Sequence, residues 1–165
     1  MTHSGFTLYQ FQENADLSNW YIVNDGVMGG LSNSELVISQ EGHGLFKGHV
    51  SLENNGGFAS LRYEPQYMDI SGLSKFVLRI KGDKQPYQFR AKASWKDYHS
   101  YIYLFETTGE WETIEIPFDK MAASFRGRLL NMDNYQGDLL SELGFLIGNK
   151  KETDFELLID KISIQ

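Results

Sequence analysis

The spacing of short alternating segments constrains the fold of this 165-residue chain most strongly. In residues 87–95, apolar residues occupy every second position and polar residues fill the positions between, as in a strand with one buried face. About ten such segments follow one another, with turn signals at roughly 8–12-residue intervals, which is typical of a β-sandwich or barrel. The sequence therefore predicts one all-β domain spanning residues 1–165, in which aromatic residues, at 14% of the chain, also favour strands.

Three segments depart from simple alternation. Residues 118–125 place apolar side chains at i, i+3, i+4 and i+7, which predicts a short helix, and residues 139–143 predict a further helical turn. Residues 101–105 are apolar on both faces, which predicts a strand that is covered on both sides.

Two glycine-rich loops interrupt the strand pattern. Residues 26–30 contain three glycines and follow Asn24 and Asp25, a strong turn signal, and residues 54–58 form a second such loop. A phosphate-binding loop is disfavoured, because no Lys-Ser/Thr pair opens a helix here. The loops are interpreted as tight turns, or as places where backbone approaches a ligand or partner. The candidate loop residues are Asn24, Asp25, Met28, Gly29, Gly30, Asn55, Gly56 and Gly57.

The overall charge and the cysteine content exclude several functional classes. The net charge is −7 and the pI is about 5.0, which disfavours nucleic acid and anionic membranes as partners. The absence of cysteine excludes disulfides, thiolate nucleophiles and cysteine-ligated metals. No apolar run reaches the ~20 residues of a membrane helix, and the first residues do not resemble a signal peptide. The prediction is a cytoplasmic protein that is not embedded in a membrane.

No catalytic constellation is evident in the sequence. The four histidines do not follow metal-ligand spacing, and the Gly-x-Ser-x-Gly nucleophile motif is absent. Acidic residues in the segment 106–115 are interpreted as a solvated edge. We therefore expect a non-enzymatic domain without catalytic residues.

Polar residues on two strands form the candidate binding face. Arg62 shares a strand face with Ser60, directly after the second glycine-rich loop, and Gln88, Arg90 and Lys92 form a polar stripe on the clearest strand. An arginine fork suits a carboxylate or a backbone carbonyl. In one interpretation Arg62 or Arg90 pins a glycine-rich loop through its carbonyls or Asp25. In the other, both arginines face a ligand or a partner protein.

Several stretches carry a family resemblance that extends over nearly the whole chain. They are Trp20, 23–30 with Ser32 and Ser34, 46–52, 54–62, 78–83, 87–90, 110–112 with 116–118, and 155–162. Together they resemble the signature of the complex I intermediate-associated protein family, most specifically in the first half of the chain. Since neither end shows a transit peptide or an extension, the chain resembles a stand-alone, bacterial version of the family.

The resemblance implies a fold and a set of partners. The implied fold is a jelly-roll β-sandwich of the galactose-binding-domain type, with one or two short helices. The implied function is non-catalytic binding of a protein, namely respiratory-complex assembly intermediates, and the alternative is a carbohydrate- or small-ligand-binding module with a saccharide partner. No cofactor is implied, although folds of this type carry a structural calcium ion, for which Asp16 and Asp160 are the candidate ligands.

Overall fold

Two antiparallel sheets, packed face to face, contain most of the strands. The computed structural model describes residues 5–25, 31–53 and 57–165. The two sheets and a separate two-stranded ribbon confirm the predicted all-β architecture. That residues 1–165 form one domain stays a prediction.

The first sheet has six strands. In spatial order, β10-β7-β15-β4-β3 form a continuous path, and β1 pairs with the last part of β15. Its strands are β1 (Phe6–Gln10), β3 (Asn33–Ile38), β4 (Gly44–Val50), β7 (Lys75–Lys81), β10 (Trp111–Pro117) and β15 (Thr153–Ile164). The twelve-residue strand β15 pairs with β4 on one side and with β7 on the other.

The second sheet has seven strands in the order β12-β11-β9-β8-β14-β5-β2. Its strands are β2 (Trp20–Asn24), β5 (Ala59–Tyr63), β8 (Tyr87–Lys92), β9 (Ser100–Phe105), β11 (Ala122–Phe125), β12 (Arg128–Leu129) and β14 (Glu142–Ile147). The separate ribbon pairs β6 (Met68–Asp69) with β13 (Leu139–Leu140).

The core lies between the inner faces of the two sheets. Every second residue of β7 and β8 points inward and is buried, as the alternation predicts. Phe76 of the first sheet meets Phe89 of the second, with ring centroids 5.0 Å apart, and Phe89 meets Phe145 edge-on at 5.4 Å. These aromatic pairs join the sheets, and they add to the apolar burial that stabilises the sandwich.

The first predicted helical segment is shorter than expected, and the second is wrong. A 3₁₀ helix covers only Phe118–Lys120, and Ala122–Phe125 is a strand that pairs with β9. The second segment divides between β13 and the start of β14. Apolar residues three positions apart arise there because two strands joined by a bend at Ser141 each bury one leucine, Leu140 in β13 and Leu143 in β14.

Helices contribute little to this structure. Within residues 5–25, 31–53 and 57–165, no helix has the length and apolar character required to cross a membrane.

Candidate functional site

The outer face of the seven-stranded sheet carries the predicted polar residues. Strand pairing places Tyr21, Arg62, Gly144, Arg90 and Ile102 in register, one from each of five adjacent strands. Their sequence neighbours point to the core, so these residues point away from it. We call this set the arginine row.

Gly144 leaves a gap in the middle of the arginine row. A Cβ atom at this position would lie 2.3 Å from the backbone oxygen of Leu61, so the neighbouring strand admits no side chain here. The arginines on either side stand two strands apart, about 10 Å between backbones, and face each other across the gap. A small indentation results, lined by Arg62, Arg90, Lys92, Ser100, Glu142 and Gly144, among others.

Glu142 is the acidic residue of this indentation. Its Oε2 accepts a hydrogen bond of 3.0 Å from the Tyr21 hydroxyl, and its Oε1 lies 3.7 Å from Nη1 of Arg62. Burial raises the pKa of the Tyr21 phenol, and the charge of Glu142 raises it further. Tyr21 therefore stays a neutral donor that fixes the orientation of the carboxylate.

Arg90 has no carboxylate of its own. Its Nη1 donates a 3.3 Å hydrogen bond to Oε1 of Gln88, and no described carboxylate forms an ion pair with it. Burial lowers the pKa of Arg90 to about 10, and the charge of Arg62 contributes in the same direction while Glu142 opposes it. Arg90 is therefore still a cation at neutral pH.

A second row on the outer face is largely aliphatic. Val23, Ser60, Leu146, Gln88 and Leu104 lie in register beside the arginine row. The Leu104 side chain is 62% exposed, so the prediction that residues 101–105 are covered on both sides is wrong. On the outer side of β9, Ile102 is half-buried and Leu104 faces solvent.

Asp25 forms hydrogen bonds within the chain itself. The carboxylate is 1% exposed and accepts hydrogen bonds from the backbone N–H groups of Ser32, Gly57 and Phe58, at 2.9, 2.6 and 3.3 Å, and from the Ser32 hydroxyl. The interpretation in which an arginine pins a loop through Asp25 is therefore wrong. Backbone amides supply the donors, and Arg62 pairs with Glu142 instead.

The predicted residues divide into groups by position. Arg62, Gln88, Arg90 and Lys92 lie together on the outer face. Nζ of Lys92 donates a 3.0 Å hydrogen bond to the backbone oxygen of Asp97. Asn24 lies at the end of β2, and its Oδ1 accepts a 2.8 Å hydrogen bond from the Ser34 hydroxyl.

The glycine-rich loops are described only at their edges. Gly57, which has a φ of +141°, precedes β5 and donates its backbone N–H to Asp25. Met28, Gly29, Gly30, Asn55 and Gly56 lie outside the described residues.

The two candidate calcium ligands do not form a cation site with other acids. Oδ1 of Asp16 accepts a 2.9 Å hydrogen bond from the backbone N–H of Ser18, and Oδ1 of Asp160 lies 3.8 Å from Nε2 of His43. Among the described residues, no group of three or more acidic or histidine side chains could hold a metal ion.

Sequence reasoning missed Tyr21, Glu142, Gly144 and Leu104. Glu142 and Gly144 fall in or beside the segment that was predicted to be helical, and the position of Tyr21 depends on which strand pairs with β5. A glycine inside an apolar strand pattern was the available signal, because such glycines mark close backbone approach.

Replacing Glu142 by glutamine should destabilise the protein by about 1 kcal/mol at low salt, because two arginines would then face each other without a carboxylate. The loss should shrink at high salt, which screens the repulsion between the two charges. Urea unfolding at low and at high ionic strength measures this loss in the free energy of unfolding. The matched control is Glu115→Gln, whose carboxylate pairs with Lys75 on the other sheet. A loss that is independent of salt would contradict the electrostatic explanation.

Comparison with known proteins adds family and fold information. Residues 9–159 match the profile of the family described as complex I intermediate-associated protein 30. The chain is 27% identical to the mitochondrial complex I intermediate-associated protein 30 of Mus musculus and 25% identical to that of Drosophila melanogaster. These alignments cover 95% and 96% of the chain, but the chain spans only 55% and 62% of the length of those relatives.

Solved structures of carbohydrate-binding modules share the fold. A family 11 module from Clostridium thermocellum superimposes with a TM-score of 0.73 at 20% identity, covering 99% of this chain and 95% of the module. A family 29 module gives a TM-score of 0.62 at 7% identity, with 99% and 92% covered. This likeness confirms the predicted jelly-roll sandwich. The profile match over 151 of the 165 residues (9–159) shows that the chain belongs to the complex I intermediate-associated protein 30 family.

Proposed function

We propose that this chain is a non-catalytic domain that docks a protein partner and assists assembly of a respiratory NADH dehydrogenase complex. The family and the names of its mitochondrial relatives support the assembly function. The docking surface is the outer face of the seven-stranded sheet, defined by the arginine row and the aliphatic row beside it.

The observation that carries this proposal is the combination of exposed aliphatic side chains with arginines on one sheet face. Leu104 is 62% exposed, and Leu129, which the register places farther along the same face, is 71% exposed. Aliphatic surface next to arginine is typical of protein interfaces, where arginine is enriched while lysine, aspartate and glutamate are depleted. Saccharide-binding sites, in contrast, stack sugar rings on aromatic side chains. Among the ten residues of the arginine row and the aliphatic row, Tyr21 is the one aromatic residue.

A single substitution should separate docking from folding. Leu104→Asp places a charge on the exposed aliphatic surface, so we expect recovery of the partner to fall roughly tenfold or more while the thermal stability stays near wild type. The matched control is Val37→Asp, which makes the same kind of change on the outer face of the other sheet.

The measurement is affinity recovery from the protein's own cells in mild detergent, followed by quantitative mass spectrometry. Enrichment of NADH dehydrogenase subunits with wild type and with Val37→Asp, but not with Leu104→Asp, would support the proposal. Absence of those subunits from the wild-type sample, or equal recovery with Leu104→Asp, would contradict it.

A second candidate function is saccharide binding at the same face. The polar groups of Tyr21, Glu142, Gln88 and Arg90 can exchange hydrogen bonds with hydroxyl groups, and a family 11 module of the same fold was solved in complex with a β-1,3-1,4-mixed-linked tetrasaccharide. A saturable thermal shift with that tetrasaccharide, lost in Gln88→Ala, would favour this function. No shift would argue against it.

A further inference from the structure

Cations outnumber carboxylates among the residues that line the indentation at Gly144. Arg62, Arg90 and Lys92 line the indentation at Gly144, and Glu142 is the acidic residue among its lining residues. This excess of positive charge lies in a chain whose net charge is −7. Placing like charges together on a half-buried surface is unfavourable unless something else compensates them.

The hydrogen bonds of the two arginines are also incomplete. Nε of Arg62 is buried and has no hydrogen-bond partner within the described protein. Within the described part of the chain, Arg90 makes one long hydrogen bond, 3.3 Å to Gln88. An arginine presents five donors, so most of the donors of this pair have no hydrogen-bond acceptor within residues 5–25, 31–53 and 57–165.

We propose that the gap over Gly144, between Arg62 and Arg90, receives the carboxylate of an aspartate or glutamate side chain on the partner protein. This inference rests on the proposed function for the identity of the partner, and it adds the chemical group that the partner must present. A carboxylate matches the planar fork of a guanidinium, and both of its oxygens can accept hydrogen bonds there.

The shape of the indentation favours a carboxylate over a phosphate. Glu142 already occupies one side of it, where Tyr21 and Arg62 hold its carboxylate, so the space left between the two guanidinium groups is small. A planar carboxylate with two acceptor oxygens needs less of this space than a tetrahedral phosphate with four. Because the cations of the indentation attract either anion, inorganic phosphate is the matched probe for this preference.

The aliphatic row determines which kind of partner residue should lie beside the carboxylate. Leu146 lies two residues after Gly144, and Gln88 lies two residues before Arg90. Because the two strands are antiparallel, both steps lead toward the same end of the sheet. Two residues of a strand span about 7 Å, and alternate side chains of an extended peptide have the same spacing. An acidic residue followed two positions later by an aliphatic residue would thus contact both rows.

The test uses a capped tripeptide, acetyl-Asp-Ala-Leu-amide, with acetyl-Asn-Ala-Leu-amide and inorganic phosphate as matched probes. The Nε–Hε resonances of Arg62 and Arg90 are followed by NMR during titration of the full chain. We expect saturable shifts with the aspartyl peptide, at least about tenfold weaker binding of the asparaginyl peptide, and weaker binding at high salt.

Variants test whether the NMR shifts report peptide binding at Arg62 and Arg90. Arg90→Gln should abolish binding of the aspartyl peptide, and Arg62→Gln, at a side chain that is 28% exposed, provides a second variant. Arg79→Gln is the control, because Arg79 lies over Trp111 on the other sheet. Equal binding of the two peptides, tighter binding of phosphate, or unchanged binding by both arginine variants would overturn the inference.

The outcomes distinguish this inference from the proposed function. If NADH dehydrogenase subunits are recovered with the wild-type chain but the aspartyl peptide gives no shifts, the carboxylate site is wrong and the docking function stands. If the peptide binds but no such subunits are recovered, the site stands and the proposed partner is wrong.

Discussion

Replacing Asp25 by alanine is expected to lower the free energy of unfolding by about 4 kcal/mol, because three backbone donors, one buried and two half-buried, would each lose their acceptor at ~1–3 kcal/mol apiece. Those donors belong to Ser32, Gly57 and Phe58, which lie at the described edges of the two glycine-rich loops. Both loops should therefore loosen together. Urea unfolding at pH 7 measures the loss, and Asp133→Ala, which removes an exposed carboxylate, is the control with little expected change.

The same carboxylate should make stability depend on pH. Burial raises the pKa of Asp25, but the hydrogen bonds from Ser32, Gly57 and Phe58 outweigh this and hold the pKa below its ordinary value. Its stabilisation is therefore complete above the unfolded-state pKa of about 3.9 and is lost as the pH falls through the lower folded-state pKa. Below about pH 4, wild type should lose stability more steeply than Asp25→Ala. Parallel pH profiles for the two proteins would refute this account.

Gly144→Ala is expected to cost about 3 kcal/mol, at the upper end of overpacking effects, since the added methyl group would meet backbone rather than a mobile side chain. The new Cβ atom would lie 2.3 Å from the Leu61 oxygen and 3.2 Å from Cα of Arg62, so β14 and β5 must separate. The change also fills the gap of the arginine row. Binding of the aspartyl tripeptide should therefore be lost even where the variant remains folded.

A matched control lies at the end of the same strand. In Gly148→Ala, the new Cβ atom would be 3.1 Å from the Gly57 oxygen, a contact that a small adjustment relieves. Thermal unfolding of the two variants compares them directly. If Gly148→Ala is as damaging as Gly144→Ala, the loss does not come from the close approach of β5 at Gly144.

How far the sequence predicts this structure depends on whether the signal is local. Alternation is local, so the strands and the inward positions of Phe76 and Phe89 could be predicted. The segment at Ala122–Phe125 could not, because its strand conformation comes from pairing with β9, which overrides a weak helical pattern.

The candidate site was predicted to a similar extent. Arg62 and Arg90 were recognised because each is a cation on an alternating strand. That they face each other depends on β14 pairing with both strands, with Gly144 in register between them. The function of Asp25 was missed for the same reason, since its donors come from residues up to 33 positions away.

The positions of β14 and β15 determine when this fold can form. β14 lies in the interior of the seven-stranded sheet and β15 in the interior of the six-stranded sheet, yet both come from the last 24 residues, 142–165. Neither sheet can close until residues 142–165 have been synthesised, so folding waits for these two strands and depends on distant contacts, which form slowly. During that delay the earlier strands have open edges, and a chaperone that covers such edges would raise the yield of folded protein.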